Sequence, residues 1–149
     1  MRKLRHEVQV FFTALMFFTR IPCPSWVDHS EEYLNQSSRY FAAVGLLVGS
    51  IAAVVYYVSY LLFGAWPAAL LSTFASIVTT GAFHEDGFAD TLDGFGGGWT
   101  VEDKLRIMKD SRLGTYGAVG LMLILILKVV ALATVLPEWA MLGLVCSHS

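Results

Sequence analysis

The chain has 149 residues, of which 56% are hydrophobic and 15% are charged, and its formal net charge is −2. Soluble domains usually have about a quarter of their residues charged, so this composition indicates a protein for which lipid is part of the solvent. The length allows one domain, and we expect residues 1–149 to form a single membrane domain. Basic and acidic residues nearly balance, and we expect no nucleic-acid partner.

The N-terminal part combines a basic start with a short apolar run, Val8–Phe18. This run is shorter than the roughly 20 residues that a membrane-spanning helix needs, and Pro22 and Pro24 follow it. It therefore predicts a short interfacial or re-entrant helix. Residues 25–38 are polar and predict a surface loop or a short helix.

Three longer apolar runs predict spanning helices, and a fourth begins near the end. Residues 40–63 contain no formal charge, and small residues such as Gly49 let a neighbouring helix approach closely. Residues 68–84 are short for a span, so we expect that helix to continue through the acidic residues after it. The third run is 116–136, and a partial span starts at 139. The pattern predicts an all-α, polytopic membrane helix bundle.

The basic residues predict the orientation of the bundle in the membrane. Five precede the first predicted span, and four lie in the acidic loop, which is the segment between the second and third predicted spans. The turns at 64–67 and 137–139 have none. The positive-inside rule then places the N-terminus and the acidic loop in the cytoplasm. Lys128 lies within a predicted span, where snorkelling or a structural ion pair explains it as well as a functional role does.

Seven of the twelve acidic residues fall within residues 85–110. On a helix, Asp86, Asp90 and Asp93 stand at i, i+4 and i+7 and share one face. No lysine or arginine lies between them, so near a low-dielectric surface their repulsion calls for a bound cation. Mg²⁺ prefers oxygen ligands and bridges carboxylates to phosphates, which makes it the predicted metal. A solvated helix end is the alternative.

His84 adjoins this acidic motif and is as consistent with packing as with a substrate contact. It is the only nearby candidate among the residue types that usually bind zinc, which makes zinc less favoured than magnesium. The other three histidines carry no such signal.

A basic segment, residues 106–117, precedes the third predicted span. Its cations, hydroxyls and glycines are suited to holding phosphate, and we predict Lys109 and Arg112 as the phosphate contacts. Asp110 is a candidate for a further metal ligand or a general base. Orientation of the helix and contact with lipid headgroups are the alternative for the basic residues.

Three motifs of the chain occur in the order and spacing of one known family. They are Phe-Thr-Arg-Ile-Pro at 18–22, the acidic motif at 84–94 and the segment 108–117. Together they resemble the cobalamin synthases, also called adenosylcobinamide-GDP ribazoletransferases. The resemblance implies an integral inner-membrane enzyme of late B12 assembly. Such an enzyme joins α-ribazole, or its 5′-phosphate, to adenosylcobinamide-GDP, releases GMP and requires magnesium.

The resemblance also suggests roles for the candidate residues. Asp86, Asp90 and Asp93 would correspond to the family's acidic motif and hold magnesium on the pyrophosphate. Asp86 or Asp110 would accept the proton of the attacking hydroxyl. Family members are usually longer, so we expect this chain to be the N-terminal portion of a longer transferase. Membrane lipid, other enzymes of late B12 assembly and a second copy of the chain are the partners considered.

Two other functions are consistent with the residues. A CDP-alcohol phosphotransferase also uses an Asp-rich helix and a divalent metal, but Asp90 stands where that family has an arginine. A divalent-cation transporter would line its path with carboxylates from several spans. The acids are crowded on one predicted cytoplasmic segment, which favours an enzyme.

Overall fold

The computed structural model describes residues 2–27 and 30–148, and every regular element within those ranges is helical. The helices are α1 (Arg2–Phe18), α2 (Glu31–Ser37), α3 (Phe41–Phe63), α4 (Ala65–Thr80), α5 (Phe83–Gly97), α6 (Val101–Met108), α7 (Thr115–Thr134) and α8 (Pro137–His148). A short 3₁₀ helix joins α2 to α3. The prediction of an all-α bundle is confirmed.

Two helical runs, Glu31–Phe63 and Thr115–Thr134, are long and apolar enough to cross a membrane. Helices α4 and α5 pass the same test as a pair, although they are bent by 88° at the break between them. The run Glu31–Phe63 includes the predicted span 40–63, and the run Thr115–Thr134 overlaps the predicted span 116–136. Large apolar side chains of α3 and α7, including Leu61 and Leu123, are exposed, as expected for helices that face lipid.

Small side chains allow the helices of the core to pack closely. Helix α3 packs against both α4 and α8, and a Cβ atom added at Gly49 would lie 2.6 Å from the Leu144 carbonyl oxygen of α8. The hydroxyl group of Tyr56, which is fully buried, donates to the Leu132 carbonyl oxygen at 3.1 Å and links α3 to α7. Close contact at a small residue is how helices associate where lipid provides no hydrophobic driving force.

The helix that precedes the acidic motif does not continue through it, so that prediction is wrong. Helix α4 ends at Thr80, and both Gly81 (φ 67°) and Ala82 (φ 61°) are left-handed. The amide of Ala82 donates back to the Ile77 carbonyl oxygen at 2.9 Å, which closes the end of the helix. The chain then turns by 88° and starts α5. The predicted span 68–84 is therefore divided at residues 81 and 82.

The motif at residues 18–22 packs against this bend. The backbone amide of Arg20 donates to the Thr79 carbonyl oxygen at 2.7 Å, which satisfies one acceptor that the end of α4 leaves free. A Cβ atom on Gly81 would meet the Arg20 side chain. Since α1 leads directly into this motif, the N-terminal helix and the bend are held together by a backbone contact.

We expect Gly81→Ala to destabilise the protein by about 1–3 kcal/mol, because alanine is strained in the left-handed region and would collide with Arg20. Thermal denaturation in detergent would measure the loss. In the Arg20→Ala background the same substitution is expected to cost less, since the collision is absent. Equal losses in both backgrounds would show that the collision contributes nothing.

Candidate functional site

Helix α5 carries the predicted acidic site. The Asp86 amide donates to the Ala82 carbonyl oxygen at 2.9 Å, and Glu85 and Asp86 lie in the first turn, where negative charge favours the helix. The helical spacing of Asp86, Asp90 and Asp93 is confirmed. Their surroundings differ, because Asp86 is exposed, Asp90 is half-buried and Asp93 is only 8% exposed.

The Asp93 carboxylate binds the start of α7. One oxygen accepts the amide of Gly114 at 2.7 Å and the other accepts the amide of Gly117 at 2.8 Å. The first amides of a helix have no partner within the helix, and a negative charge there is favourable. Asp93 thus joins the end of the acidic helix to the start of a predicted span.

This contact explains two of the glycines in the segment 108–117. A Cβ atom on Gly114 or Gly117 would overlap the Asp93 carboxylate, and at Gly117 it would also lie 2.8 Å from the Ala89 carbonyl oxygen. Helices α5 and α7 can therefore approach this closely only where α7 lacks side chains. The sequence pattern predicted Asp93 as a metal ligand and not as a contact to α7, although the glycine pair spaced by three residues is consistent with such a contact.

Of the three aspartates of α5, Asp86 and Asp90 remain available for a metal ion. Among the described residues, no ion pair includes either of them. In the same part of the chain, no three His, Cys, Asp or Glu side chains are grouped so that they alone could hold a metal ion. Two carboxylates one helical turn apart do fit Mg²⁺, which typically takes one or two carboxylates and completes its shell with water and substrate phosphates.

The loop between α6 and α7 forms a groove beside Asp93. The groove has a volume of about 480 Å³, and Asp110, Arg112 and Tyr116 also line it. The Arg112 guanidinium donates to both carboxylate oxygens of Asp110, at 3.1 Å from Nε to each and 2.6 Å from one terminal nitrogen. The Arg112 side chain is nevertheless 87% exposed, so some of its guanidinium N–H groups face the groove and solvent.

This pairing affects the predicted role of Asp110. Hydrogen bonds from Arg112 hold the pKa of the Asp110 carboxyl below its usual range. A carboxylate with a lowered pKa accepts a proton less readily, so Asp110 is better suited to orienting Arg112 than to acting as a base. Lys109 is exposed and lies outside the residues that line the groove.

His84 lies away from this groove, beside a second cavity at the bend between α4 and α5. That cavity has a volume of about 590 Å³, and Glu85, Lys128 and His148 also line it. The predicted site residues are therefore not all in one place. Asp93, Asp110 and Arg112 line the groove and His84 lines the second cavity, whereas Asp86, Asp90 and Lys109 line neither. Neither Glu85 nor His148 was a predicted site residue, and Lys128 was noted only as a charge within a predicted span.

Comparison with known proteins now identifies the family. The sequence pattern of the cobalamin-5-phosphate synthases matches residues 10–149. The chain belongs to this family. Among the curated relatives, an adenosylcobinamide-GDP ribazoletransferase of Shewanella frigidimarina is 55% identical over 99% of the chain, and one of Shewanella oneidensis is 51% identical over 96%.

The match to these cobalamin-5-phosphate synthase relatives covers 58% and 56% of their respective lengths. The chain therefore spans somewhat more than half of proteins of this kind. No solved structure matches it. The acidic helix, the groove and the second cavity all lie within residues 10–149, which the sequence pattern of the family matches.

Proposed function

We propose that the protein is a magnesium-dependent adenosylcobinamide-GDP ribazoletransferase. It would transfer the adenosylcobinamide phosphate group to α-ribazole, or to α-ribazole 5′-phosphate, and give adenosylcobalamin, or its 5′-phosphate, and GMP. The observation that carries the proposal is the meeting of the acidic helix and the Arg112 loop at the start of α7. Asp93 is bound to the start of α7 beside the groove that Arg112 lines, and Asp90 and Asp86 precede it on the same helix. The relatives named for this reaction support the substrates.

Different residues would contact the pyrophosphate directly, hold the metal ion and position the acidic helix. Arg112, oriented by Asp110, would contact the phosphates from the groove, and Lys109 would add charge from the same loop. Asp86 and Asp90 would hold Mg²⁺, and Asp93 would position their helix against α7. When bound, the metal neutralises charge on the pyrophosphate and on the departing GMP. His84 would contact substrate from the second cavity.

Asp86 is the carboxylate that we propose as the base for the attacking hydroxyl. It is exposed and has no ion-pair partner among the described residues, whereas Asp110 is engaged by Arg112. A base must be able to reach the proton that it removes. Asp86 meets this condition better than Asp110 does.

We also propose that the protein is a multi-pass protein of the cytoplasmic membrane with its N-terminus and the α5–α7 region in the cytoplasm. The distribution of basic residues supports this orientation. A site on the cytoplasmic side also suits a substrate that is activated as a GDP derivative. Association with other enzymes of late B12 assembly or with a second copy stays a prediction.

The reaction can be tested with membranes that contain the protein at its full natural length. We expect adenosylcobinamide-GDP, α-ribazole and magnesium to give GMP and a cobalamin that mass spectrometry detects. Chelation of divalent metal should stop product formation, and added magnesium should restore it. Product that forms equally well in excess chelator would contradict the metal requirement.

The two alternative functions give different results in the same preparation. A CDP-alcohol phosphotransferase would release CMP from a CDP-alcohol, and a transporter would move divalent cations into proteoliposomes without any nucleotide. Either result, if no GMP is released, would favour that alternative function over the proposed reaction.

A further inference from the structure

Lys128 is a charged residue within a helix that is apolar enough to cross a membrane. Its side chain turns into the second cavity, where the ammonium group donates to the Ser76 hydroxyl of α4 at 3.4 Å. This hydrogen bond is long, and a single hydroxyl does not compensate a charge that is held away from water. Lys128 therefore calls for an acidic partner.

Glu85 brings the opposite charge to the same cavity. Its Oε2 atom is buried and has no hydrogen-bond partner in the described part of the chain. A buried carboxylate oxygen without a donor is costly. Among the described residues that line the cavity, Glu85 is the only carboxylate and Lys128 is the only lysine or arginine. Each of the two is the charged partner that the other lacks.

The cavity leaves room for water between these two groups. No ion pair within residues 2–27 and 30–148 joins them directly, and the cavity has a volume of about 590 Å³. Ser76, Thr80 and Ser147 also line it, and polar groups of this kind hold buried water. Water can therefore bridge the Lys128 ammonium and the Glu85 carboxylate, whose opposite charges attract each other across the cavity.

The position of Glu85 on α5 gives such a pair a role beyond neutralisation. Helix α5 is separated from α4 by an 88° bend, so a continuous helix does not fix its direction. Towards the other end of α5, the Asp93 carboxylate accepts two amides at the start of α7. Asp86 and Asp90, the proposed metal ligands, lie between Glu85 and Asp93. A helix held at one point can tilt about it, whereas two attachments to the same neighbour fix its direction.

We propose that Lys128 and Glu85 form a water-bridged charge pair that attaches the start of α5 to α7, and that both are positioning residues for Asp86 and Asp90. The inference rests on the proposed function and adds to it the second support of the acidic helix. The pair touches neither metal nor substrate and acts through the direction of α5. Loss of a group that orients metal ligands typically lowers metal affinity by roughly 10–100-fold.

A double-mutant cycle tests the pair without any substrate. Thermal denaturation of the purified full-length protein in detergent is measured for Lys128→Met, for Glu85→Gln and for the variant with both substitutions. Each single substitution leaves one buried charge without its partner, and we expect it to lower the Tm by more than about 5 °C. The double variant leaves no unpaired charge and should have a higher Tm than either single variant. Lys3→Met and Glu102→Gln, which alter exposed side chains, should leave the Tm unchanged.

The order of the Tm values decides whether the pair exists. A double variant whose Tm does not exceed that of both single variants would overturn the pair. The experiment stays decisive if the single variants do not fold, because a folded double variant then supports the pair and an unfolded one contradicts it.

The magnesium dependence of the double variant tests the positioning role. We expect it to need roughly tenfold more magnesium than the wild type for half-maximal GMP release, although it is more stable than either single variant. The rise in Tm on addition of magnesium, which needs no turnover, should require the same higher concentration. A purely structural pair would not give this split between stability and metal requirement. A wild-type magnesium requirement in the folded double variant would overturn the positioning role.

These measurements separate the proposal from the proposed function. GMP release by the wild type, with a double variant that does not exceed the single variants in Tm, would refute the pair and leave the reaction intact. The expected order of Tm values and the expected shift in magnesium stabilisation, without any GMP release by the wild type, would refute the reaction and leave the pair intact.

Discussion

Replacement of Asp86 by asparagine is expected to lower the turnover number by roughly 10²–10³-fold, the size of effect that follows loss of one group stabilising charge in a transition state. The amide keeps the shape of the side chain and removes the charge that would hold magnesium and accept the proton. GMP release from adenosylcobinamide-GDP, measured in membranes that contain the full-length protein, gives the turnover. Because Asp86 is exposed, the variant should fold and insert into the membrane normally.

Glu102→Gln provides the matched control for this substitution. Glu102 is an exposed acid in the first turn of α6, outside both cavities, and its neutralisation should leave turnover unchanged. Near-normal turnover of Asp86→Asn would remove Asp86 from the proposed site. Equal losses in both variants would show that net charge matters rather than this position.

Replacement of Gly117 by alanine is expected to lower the free energy of unfolding by about 2–5 kcal/mol. The added methyl group overlaps the Asp93 carboxylate and the Ala89 carbonyl oxygen, and overpacking of this kind costs about 1–3 kcal/mol. Displacement of Asp93 would also disturb its bonds to two amides, and a hydrogen bond to a charged group contributes about 1.5–3 kcal/mol. Thermal or denaturant unfolding in detergent measures the change.

Gly87→Ala is the matched control, since it adds the same methyl group to the partner helix α5. Nothing lies within 4 Å of a Cβ atom at Gly87. Alanine is favoured over glycine within a helix by about 1 kcal/mol, so this variant should be as stable as the wild type or slightly more stable. A stable Gly117→Ala protein would mean that α5 and α7 can separate without cost and that Asp93 is not structurally required.

The position of most helices was predictable because it depends on local pattern. An apolar run without charges, such as 40–63, can be satisfied in lipid only if its backbone is hydrogen-bonded internally, which makes it helical. The helical spacing of Asp86 and Asp90 likewise follows from the sequence alone. The order of the three motifs also indicated the family, which the match over residues 10–149 confirmed.

The end of α4 was predicted wrongly because two competing signals fell in the same place. The uncharged run continued to Phe83, so hydropathy favoured a longer helix, whereas Gly81 favoured a left-handed end. The contact of Arg20 with Thr79, some 60 residues apart in the chain, supports the second outcome. A contact between residues so distant in sequence is not visible in local periodicity.

The sequence by itself determined which residues form helices, which of those helices are apolar enough for a membrane, and where the acids and bases of the site lie along the chain. Only the tertiary structure decided what those side chains contact. In the tertiary structure the Asp93 carboxylate accepts hydrogen bonds from amides at the start of α7, and Lys128 and Glu85 line the same cavity. The physical reason is that helix formation depends on neighbouring residues, whereas these contacts depend on an 88° bend and on the packing of helices distant in sequence.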